Sequence, residues 1–418
     1  MTQKTRALVE YSVILVLAVM LAGVLLRGKQ PEARGKPDQT VSAPAVEKPK
    51  EVPLLPMPDL GFKPVKGLPE KGSWRCQVQC ADLNGDKLPD LVACNREEDG
   101  LNVFLRQADG SYLTSNDGIP RDLSYGGIAL ADMDKDGDVD IVFSTHKAPM
   151  RVYLNDGKAH WTEKTDGLTN KQLIVDVCVG DLNEDGNLDI ACMPNFEGGI
   201  SLFYGKGNVG FEEAEPKSIE AVKKAGKFGT IIRMADIDQD GHLDLIALLN
   251  TGLKVFFNDG HGNFTLKDKG LPTPTIGGSL FGCEVANIDG KGPLEVGVVG
   301  VRDPNFEKDP LNRGIFLFHW DQEKQAWDQL GKGLDATESM HGIAFTDING
   351  DQKLDLVTTG TRRAVAFWLG DGQGSFTEAG RIDSATKKAR LTIADVLGNG
   401  KVGVALSYYG GIAAYVRD

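Results

Sequence analysis

The chain lacks the short motifs by which many enzymes are recognised. It contains no Gly-x-Ser-x-Gly nucleophile elbow and no phosphate-binding Gly-Lys loop, and its six histidines form no His-x-x-x-His metal motif. Positive charge is also scarce, because 46 basic residues face 59 acidic ones and leave a formal net charge of -13. That balance argues against nucleic acid as a partner.

What the chain does contain is a short acidic loop that recurs seven times. The first residue of each copy is Asp82, Asp132, Asp181, Asp236, Asn287, Asp347 or Asp395, so the repeated unit is 48 to 60 residues long. A period near 50 residues is typical of repeat architectures. We therefore expect one large closed unit of about 360 residues rather than several separate domains.

The best copies of the loop carry the ligand pattern of a calcium site. In the segment from Asp132 to Asp140, oxygen-bearing side chains stand at positions 1, 3, 5 and 9, and glycine at position 6 allows a sharp bend. Ca²⁺ prefers six to eight oxygen ligands at about 2.3 to 2.6 Å. Position 12 lacks the glutamate that an EF-hand requires, so the ninth residue is expected to supply the closing carboxylate.

Five copies are complete, and they predict about five bound Ca²⁺. The predicted ligands are Asp82, Asn84, Asp86 and Asp90; Asp132, Asp134, Asp136 and Asp140; Asp181, Asn183, Asp185 and Asp189; Asp236, Asp238, Asp240 and Asp244; and Asp347, Asn349, Asp351 and Asp355. The corresponding positions of the two incomplete copies hold Asn287, Asp289, Lys291 and Glu295, and Asp395, Leu397, Asn399 and Gly403. We expect no strong metal site in either.

Around each loop the sequence alternates like β-structure. The loop joins two apolar strands, a third strand follows, and a hairpin turn such as Asn155-Asp156-Gly157 leads to a fourth strand that opens with an aromatic residue. The last unit ends before its fourth strand, whereas the segment from Leu60 to Pro69 copies that element and places Phe62 in the last unit's outer strand. These features predict an all-β, seven-bladed propeller of four-stranded blades, closed by exchange of a terminal strand.

The residue before each loop is small in every unit: Ala81, Ala131, Gly180, Ala235, Ala286, Thr346 or Ala394. Crowding of the innermost strands around a narrow axis explains this pattern. With these loops and blades, the chain resembles the FG-GAP or VCBS repeat family, whose best-known member is the head of the integrin alpha subunit. The resemblance covers residues 60 to 418 and implies structural calcium on one face of the disc and ligand binding on the other.

The six cysteines permit disulfides without demanding them. Their spacing from the acidic loop predicts that Cys178 faces Cys192 across paired strands, and that Cys80 and Cys94 share a face. Small buried thiols are the alternative, since cysteine packs readily in protein cores.

The first 58 residues form a different kind of segment. After a tail of residues 1–7, an apolar run behind Lys4 and Arg6 predicts a transmembrane signal anchor at residues 8–27. Residues 28–58 hold seven of the 19 prolines and predict a disordered linker, and residues 59–418 form the propeller. Basic residues after the run favour a cytoplasmic propeller, but calcium sites of this type favour export. We expect a single-pass protein with the propeller outside the cytoplasm; secretion after cleavage is the alternative.

The expected function is a protein-binding or glycan-binding adhesion scaffold. Two units exceed the period, at Pro216 to Lys227, where a helical turn is expected, and at Val301 to Arg313; insertions of this kind often lie on the binding face. The expected rim of that face contains Arg96, His146, Lys147, Arg362, Arg363, Tyr408 and Tyr409. A polysaccharide lyase or hydrolase is the rival interpretation, and it would need an unrepeated acid and base such as Asp303, Glu307 or His341.

Overall fold

A computed structural model describes residues 60–417, except for 75, 97–99, 122–123, 147–148, 170–172, 216–218, 272–279, 302–313, 332–333, 335–337, 384 and 386–387. This part of the chain forms seven sheets of four strands each. The predicted all-β, seven-bladed propeller is therefore confirmed. The tail, anchor and linker predicted at residues 1–58 lie outside the described residues. Within those residues, no helix is long and apolar enough to cross a membrane.

The strands are numbered in chain order, and the first of them is β1 (Lys63–Pro64). Blades 1 to 3 contain β2 (Gln79–Ala81), β3 (Asp90–Cys94), β4 (Leu101–Arg106) and β5 (Tyr112–Thr114); β6 (Ile128–Ala131), β7 (Asp140–Phe143), β8 (Arg151–Asn155) and β9 (Trp161–Lys164); and β10 (Ile174–Gly180), β11 (Asp189–Pro194), β12 (Ser201–Gly205) and β13 (Phe211–Glu213). Blades 4 and 5 contain β14 (Gly229–Ala235), β15 (Asp244–Leu249), β16 (Gly252–Asn258) and β17 (Phe264–Leu266), and β18 (Leu280–Ala286), β19 (Glu295–Gly300), β20 (Gly314–Asp321) and β21 (Ala326–Leu330). Blade 6 contains β22 (Met340–Thr346), β23 (Asp355–Gly360), β24 (Val365–Gly370) and β25 (Phe376–Ile382), and blade 7 contains β26 (Arg390–Ala394), β27 (Gly403–Tyr408) and β28 (Gly411–Val416).

The second strand of a blade is the most deeply buried. Every residue of β11, β15 and β23 is buried, including those whose side chains point to opposite faces. A strand with both faces covered reads as a continuous apolar run, as in Ile190-Ala-Cys-Met193. The cores accordingly lie between neighbouring blades, and Ile190 and Val142 of adjacent blades belong to one cluster of buried side chains.

The sheet of blade 7 takes its fourth strand from the beginning of the described chain. β1 pairs antiparallel with β28, with Lys63 opposite Val416. Phe62, just before β1, stacks on Phe367 of blade 6, with the two ring centroids 4.9 Å apart. On its other side blade 7 contacts blade 1, because the hydroxyl of Thr392 donates to the backbone carbonyl of Val78 at 2.6 Å.

The first strands are crowded where they approach the acidic loops. A Cβ atom added to Gly180 would lie 2.6 Å from Cδ1 of Leu243 and 3.0 Å from the sulfur of Met234. Both of those residues belong to the next blade. No side chain larger than hydrogen fits there without displacing its neighbours, which explains the glycine at this position.

The fourth strands open as the sequence predicts. The buried aromatic residues are Tyr112, Trp161, Phe211, Phe264, Trp327 and Phe376, at the first or second position of their strands. The insertion of blade 3 contains a short helix, α1 (Glu220–Ala225), whose Val222 is buried. The helical turn expected in this insertion is therefore confirmed.

The predicted facing of Cys178 and Cys192 is wrong. Gly180 pairs with Asp189, so Cys178 lies opposite Ala191 and not opposite Cys192. A one-residue offset moves a side chain to the other face of the sheet, and the two cysteines belong to different cores. The prediction that Cys80 and Cys94 share a face is also wrong, because Cys80 lies opposite Leu91, and Cys94, three residues further along β3, points to the other face. All six cysteines are free thiols, and the sulfur of Cys76 accepts the backbone N–H of Cys94 at 2.8 Å.

Candidate metal centres

All seven acidic loops share one backbone conformation. Positions 4 and 6 have a positive φ in every copy, as shown by Gly85 and Lys87, Lys135 and Gly137, Glu184 and Gly186, Gln239 and Gly241, Gly290 and Gly292, Gly350 and Gln352, and Gly398 and Gly400. Left-handed backbone is costly for residues with a Cβ atom, so several copies use glycine there. The conformation is thus a property of the repeat, including the two incomplete copies.

Hydrogen bonds from the loop backbone hold the side chains at positions 1 and 5. In blade 2 the carboxylate of Asp132 accepts the backbone N–H groups of Asp136 at 3.1 Å and of Gly137 at 3.0 Å. The carboxylate of Asp136 accepts the N–H of Asp138 at 2.9 Å. Equivalent bonds to position 1 recur in blade 4, where Asp240 and Gly241 donate to Asp236. The loop therefore folds around its own carboxylates.

These bonds bring the predicted ligands together. One carboxylate oxygen from each of Asp132, Asp134 and Asp136 lies within 4.8 Å of the others, and the same is true of Asp236, Asp238 and Asp240. The remaining complete loops have asparagine at position 3 and keep the same contacts, for example Asp185 N–H to Asn183 Oδ1 at 3.2 Å. The loop backbone thus holds the side chains at positions 1, 3 and 5 in the same way in these copies, and the asparagine amide nitrogen bonds the carboxylate of position 5 in blades 1 and 3.

The cluster in blade 4 contains an unsatisfied oxygen. Asp238 Oδ1 is buried and accepts no hydrogen bond from any described residue. Burial, followed by the neighbouring carboxylates of Asp240 and Asp236, raises the pKa of Asp238. A buried carboxylate oxygen without a donor is costly, and a divalent cation is the partner that this donor set suits, because all its members are hard oxygen ligands. The residues present therefore fit a calcium ion.

The ninth residue has a role that the sequence did not reveal. Asp140 is fully buried; its Oδ2 accepts the N–H of Met133 at 2.7 Å, and its Oδ1 accepts the N–H of Asn155 at 2.8 Å. The first bond closes the loop and the second reaches the end of the third strand. The equivalent residues Asp90, Asp189, Asp244 and Asp355 are also fully buried and make the same two bonds.

Burial also changes the acidity of these carboxyl groups. It raises the pKa of Asp90, Asp140 and Asp189 to about 6 and that of Asp244 to about 7. The hydrogen bonds from backbone N–H groups oppose this rise in pKa. A carboxylate has about four lone-pair sites, so position 9 retains capacity for a cation beside its two backbone donors.

The incomplete copies show which parts of the motif the fold itself needs. In blade 5, Glu295 is fully buried and accepts the N–H of Ile288 at 2.7 Å, while the ring of His319 takes the place of the second backbone donor at 2.9 Å. In blade 7, Gly403 offers no carboxylate, and the N–H of Val396 instead bonds the carbonyl of Ala394 at 2.9 Å. Both loops keep the backbone conformation without the full ligand set.

The loops are also tied from blade to blade. The side-chain amide of Asn155 in blade 2 donates to the carbonyl of Leu83 in the loop of blade 1 at 2.9 Å. Asn258 of blade 4 makes the same bond to Leu182 of blade 3 at 2.7 Å. An ion that orders one loop would therefore also order a contact with its neighbour.

The opposite face carries the turns between the second and third strands. Arg96 is exposed there, with its guanidinium carbon 5.3 Å from the ring centroid of Tyr125, and that ring lies 4.1 Å from the ring of His146. Tyr409 is 63% exposed. Of the other residues predicted for this rim, Arg362 and Tyr408 are half-buried, and Lys147 lies outside the described residues.

Arg363 was wrongly predicted to lie on this rim. Its side chain is buried and forms ion pairs with Glu338 and with Glu378, the latter at 2.9 Å. Glu338 also accepts the backbone N–H of Arg363 at 2.8 Å. The guanidinium of Arg363 therefore pairs with two carboxylates inside the protein and is not available to a partner on the rim.

The structure shows two further features that the sequence did not predict. The first is a pair of exposed aromatic residues: Phe196 and Phe228 are 53% and 37% exposed, and the segments that hold them touch, because the N–H of Gly199 bonds the carbonyl of Lys227 at 3.0 Å.

The second feature is a set of charged side chains on the first strands: Asp176, Arg233, Glu284 and Arg390. They stand three or five residues before a loop, on the same strand face as the small residue that precedes it, and this alternation could have identified them.

The fold and the repeated acidic loops define a seven-bladed propeller with an acidic hairpin loop between the first two strands of its blades. Residues 82–143, 132–192, 184–247, 236–298 and 314–405 match the FG-GAP-like repeat. The chain belongs to this repeat family, as the sequence resemblance suggested. A comparison with curated proteins found no match.

Several solved structures share the fold at low sequence identity. A lectin of Agrocybe aegerita, solved to explain its specific recognition of non-reducing terminal N-acetylglucosamine, is 17% identical, with a TM-score of 0.51 over 74% of this chain and 81% of the lectin. The V. cholerae biofilm matrix protein Bap1 is 14% identical, with a TM-score of 0.51 over 85% of this chain and 91% of Bap1. BBS1N, in complex with ARL6DN, is 10% identical, with a TM-score of 0.52 over 84% and 94%. At these identities the likeness establishes the fold alone.

Proposed function

We propose that this protein is a membrane-anchored, extracytoplasmic propeller, stabilised by about five Ca²⁺, that binds a protein or glycan on the face opposite the calcium loops. The observation that carries the proposal is the difference between the two faces. One face presents converging carboxylates held by backbone hydrogen bonds, and the other presents exposed aromatic and basic side chains. The first suits a structural ion and the second suits a partner.

The convergence of oxygen atoms supports the calcium sites. Three carboxylates within 4.8 Å of one another repel when no cation is present. Asp132, Asp134 and Asp136 would hold an ion in blade 2 with Asp140 beneath them, and the matching residues would do so in the other four complete loops. An ion that binds only the folded chain stabilises it by mass action.

Ring closure supports a structural role for the ions. The pairing of β1 with β28 joins the two ends of the described chain within one blade, and we propose that this terminal strand exchange closes the propeller. Hydrogen bonds between the loops of neighbouring blades, such as that from Asn155 to the carbonyl of Leu83, would then help to hold the closed ring together.

The aromatic side chains of the opposite face support a binding role. Phe196 and Phe228 are exposed on two segments that touch at the junction of blades 3 and 4, and we call these two side chains the aromatic patch. Exposed aromatic residues and arginine are enriched at the energetic centres of interfaces. Tyr409 and Arg96 extend the same character around the ring.

The structural relatives are consistent with either kind of ligand. One is a lectin that recognises N-acetylglucosamine, one is a biofilm matrix protein, and one was solved in complex with a protein partner. Anchoring at residues 8–27 through a linker at 28–58 would present such a face away from the membrane; secretion after cleavage is the alternative. The anchor at residues 8–27 and the linker at residues 28–58 are inferred from their amino-acid sequence.

A binding role is preferred to a polysaccharide-active enzyme. Of the acid and base candidates, Asp303 and Glu307 lie outside the described residues. His341 borders a small cavity of about 20 Å³. A cavity of this size holds one or two waters, so His341 does not line a pocket of sugar-ring size.

The proposal is tested by a screen of glycans and candidate protein ligands against the full chain with calcium present. A hit is then measured with the double variant Phe196→Ser/Phe228→Ser. The matched control is Leu113→Ser, which removes an apolar side chain that is 60% exposed on an outer strand. We expect at least a tenfold loss of affinity for the double variant and none for the control. Equal affinity of both variants would place the binding site elsewhere.

A further inference from the structure

The first strands place a group of charges around the axis of the ring. Asp176 of β10, Arg233 of β14 and Arg390 of β26 line one cavity together with Gln77. A second cavity beside it is lined by Arg233, Arg390, Gln77 and His341. Neither the calcium loops nor the aromatic patch uses these side chains.

Arg233 has a full set of partners. Its Nη1 lies 2.9 Å from Asp176 Oδ2, and its Nη2 donates to Gln77 Oε1 at 2.6 Å. Asp176 Oδ2 also accepts the N–H of Ile232 at 3.0 Å. The charge of Arg233 is thus balanced by Asp176, and both groups are fixed in place.

Arg390 differs from Arg233. Its Nη1 donates to the carbonyl of Phe281 at 2.6 Å, and among the described residues no carboxylate forms an ion pair with it. Glu284 is the other acidic group on these strands; burial raises the pKa of its carboxyl group, and the charge that acts on it is that of Arg233. Burial lowers the pKa of Arg390, and the carboxylate that opposes this fall is Asp176, which already pairs with Arg233. One carboxylate therefore serves two guanidinium groups, and incomplete compensation of a charge removed from water is unfavourable.

His341 of β22 provides a second unsatisfied group in the same cavity. Its Nε2 is buried and has no hydrogen-bond partner among the described residues. Burial, with the nearby charges of Arg390 and Lys388, lowers the pKa of His341 to about 4. The ring is therefore neutral at physiological pH, and as the Nε2–H tautomer it offers a donor from a residue that lines the cavity of Arg390.

We propose that this cavity binds one monovalent inorganic anion of the chloride class between the guanidinium of Arg390 and Nε2–H of His341. An anion there would balance the charge of Arg390 and satisfy the imidazole donor at once. The cavity has room for one or two water-sized particles, which suits a small monatomic anion. The site joins blades 6 and 7 and is separate from the calcium loops, so it does not depend on the proposed function.

The direct test is crystallography of the full chain with bromide in place of chloride. Anomalous scattering at the bromine edge is expected to show a peak within hydrogen-bond distance of both the Arg390 guanidinium and His341 Nε2. Ordered water without anomalous signal at that position would overturn the proposal.

A solution test uses thermal melting at constant calcium and ionic strength, with sodium gluconate replaced stepwise by sodium chloride. The wild-type melting temperature is expected to rise by about 2 °C and then saturate. The rise should vanish in Arg390→Met and persist in Arg151→Met, since Arg151 pairs with Glu163 on an outer part of blade 2. If Arg390→Met does not fold, His341→Phe is used instead, and it should weaken the response. An equal response in the wild type, Arg390→Met and His341→Phe would contradict the site.

Discussion

The carboxylate of Asp140 accepts the backbone N–H of Met133 at 2.7 Å from a fully buried position. Its other oxygen bonds Asn155, so removal of the side chain would leave two buried donors without a partner. We predict that Asp140→Ala destabilises the protein by about 3 kcal/mol, even when a chelator is present, because each such donor costs about 1 to 3 kcal/mol. Chemical denaturation in chelator measures this directly.

The comparison variant is Asp136→Ala, which removes an exposed member of the same loop. In chelator it should change the free energy of unfolding by less than about 1 kcal/mol. In calcium it should be clearly destabilising, because it removes a ligand. Similar effects of the two variants in chelator would show that position 9 has no separate structural role.

A second prediction concerns the number of bound ions. Equilibrium dialysis followed by elemental analysis should find about five Ca²⁺ per chain. Asp236→Ala should lower this number by one, whereas Asp395→Ala should leave it unchanged, since the seventh copy lacks ligands at positions 3 and 9. Seven ions in the wild type would mean that the backbone conformation alone suffices for binding.

The third prediction concerns Arg363 and its two carboxylate partners. Arg363→Met would leave Glu338, whose side chain is fully buried, as an unpaired charge. Breaking one side of a buried ion pair costs about 3 to 5 kcal/mol, so the variant should unfold at markedly lower denaturant concentration. Arg151→Met breaks a more exposed pair with Glu163 and should cost less than about 1 kcal/mol. Equal midpoints for the two variants would contradict this assignment.

The fourth prediction concerns the closing strand. Phe62 is half-buried and stacks on Phe367, so Phe62→Ala should destabilise by about 1 to 3 kcal/mol, less than a fully buried phenylalanine would. The control is Leu113→Ala, at a side chain that is 60% exposed. Thermal melting distinguishes the two, and an unchanged melting temperature in Phe62→Ala would mean that this contact does not hold the first strand in place.

The features that the sequence predicted correctly depend on spacing along the chain. The period of the loops, the apolar second strands and the aromatic residue of the fourth strands are all local patterns, and each repeat supplies an independent copy. The positions of Asp132, Asp134 and Asp136 follow from the same regularity, because one loop contains all of them.

The features that the sequence did not predict depend on register or on contacts between distant segments. Cys178 and Cys192 were misplaced by a one-residue offset in strand pairing. Arg363 follows a strand and looked like a surface residue, but Glu338, 25 positions earlier, covers it. The buried role of Asp140 depends on Asn155 at the end of another strand, and the group around Arg390 is assembled from several blades.

The central claim is that calcium in the acidic loops stabilises the closed propeller. Its most direct test is the melting temperature of the full chain in calcium and in an equal buffer with excess chelator. The account predicts a fall of at least about 5 °C on chelation, which calcium reverses and magnesium does not fully restore, because several sites contribute by mass action and the loops suit the larger ion. Superimposable melting curves in calcium and in chelator would contradict it.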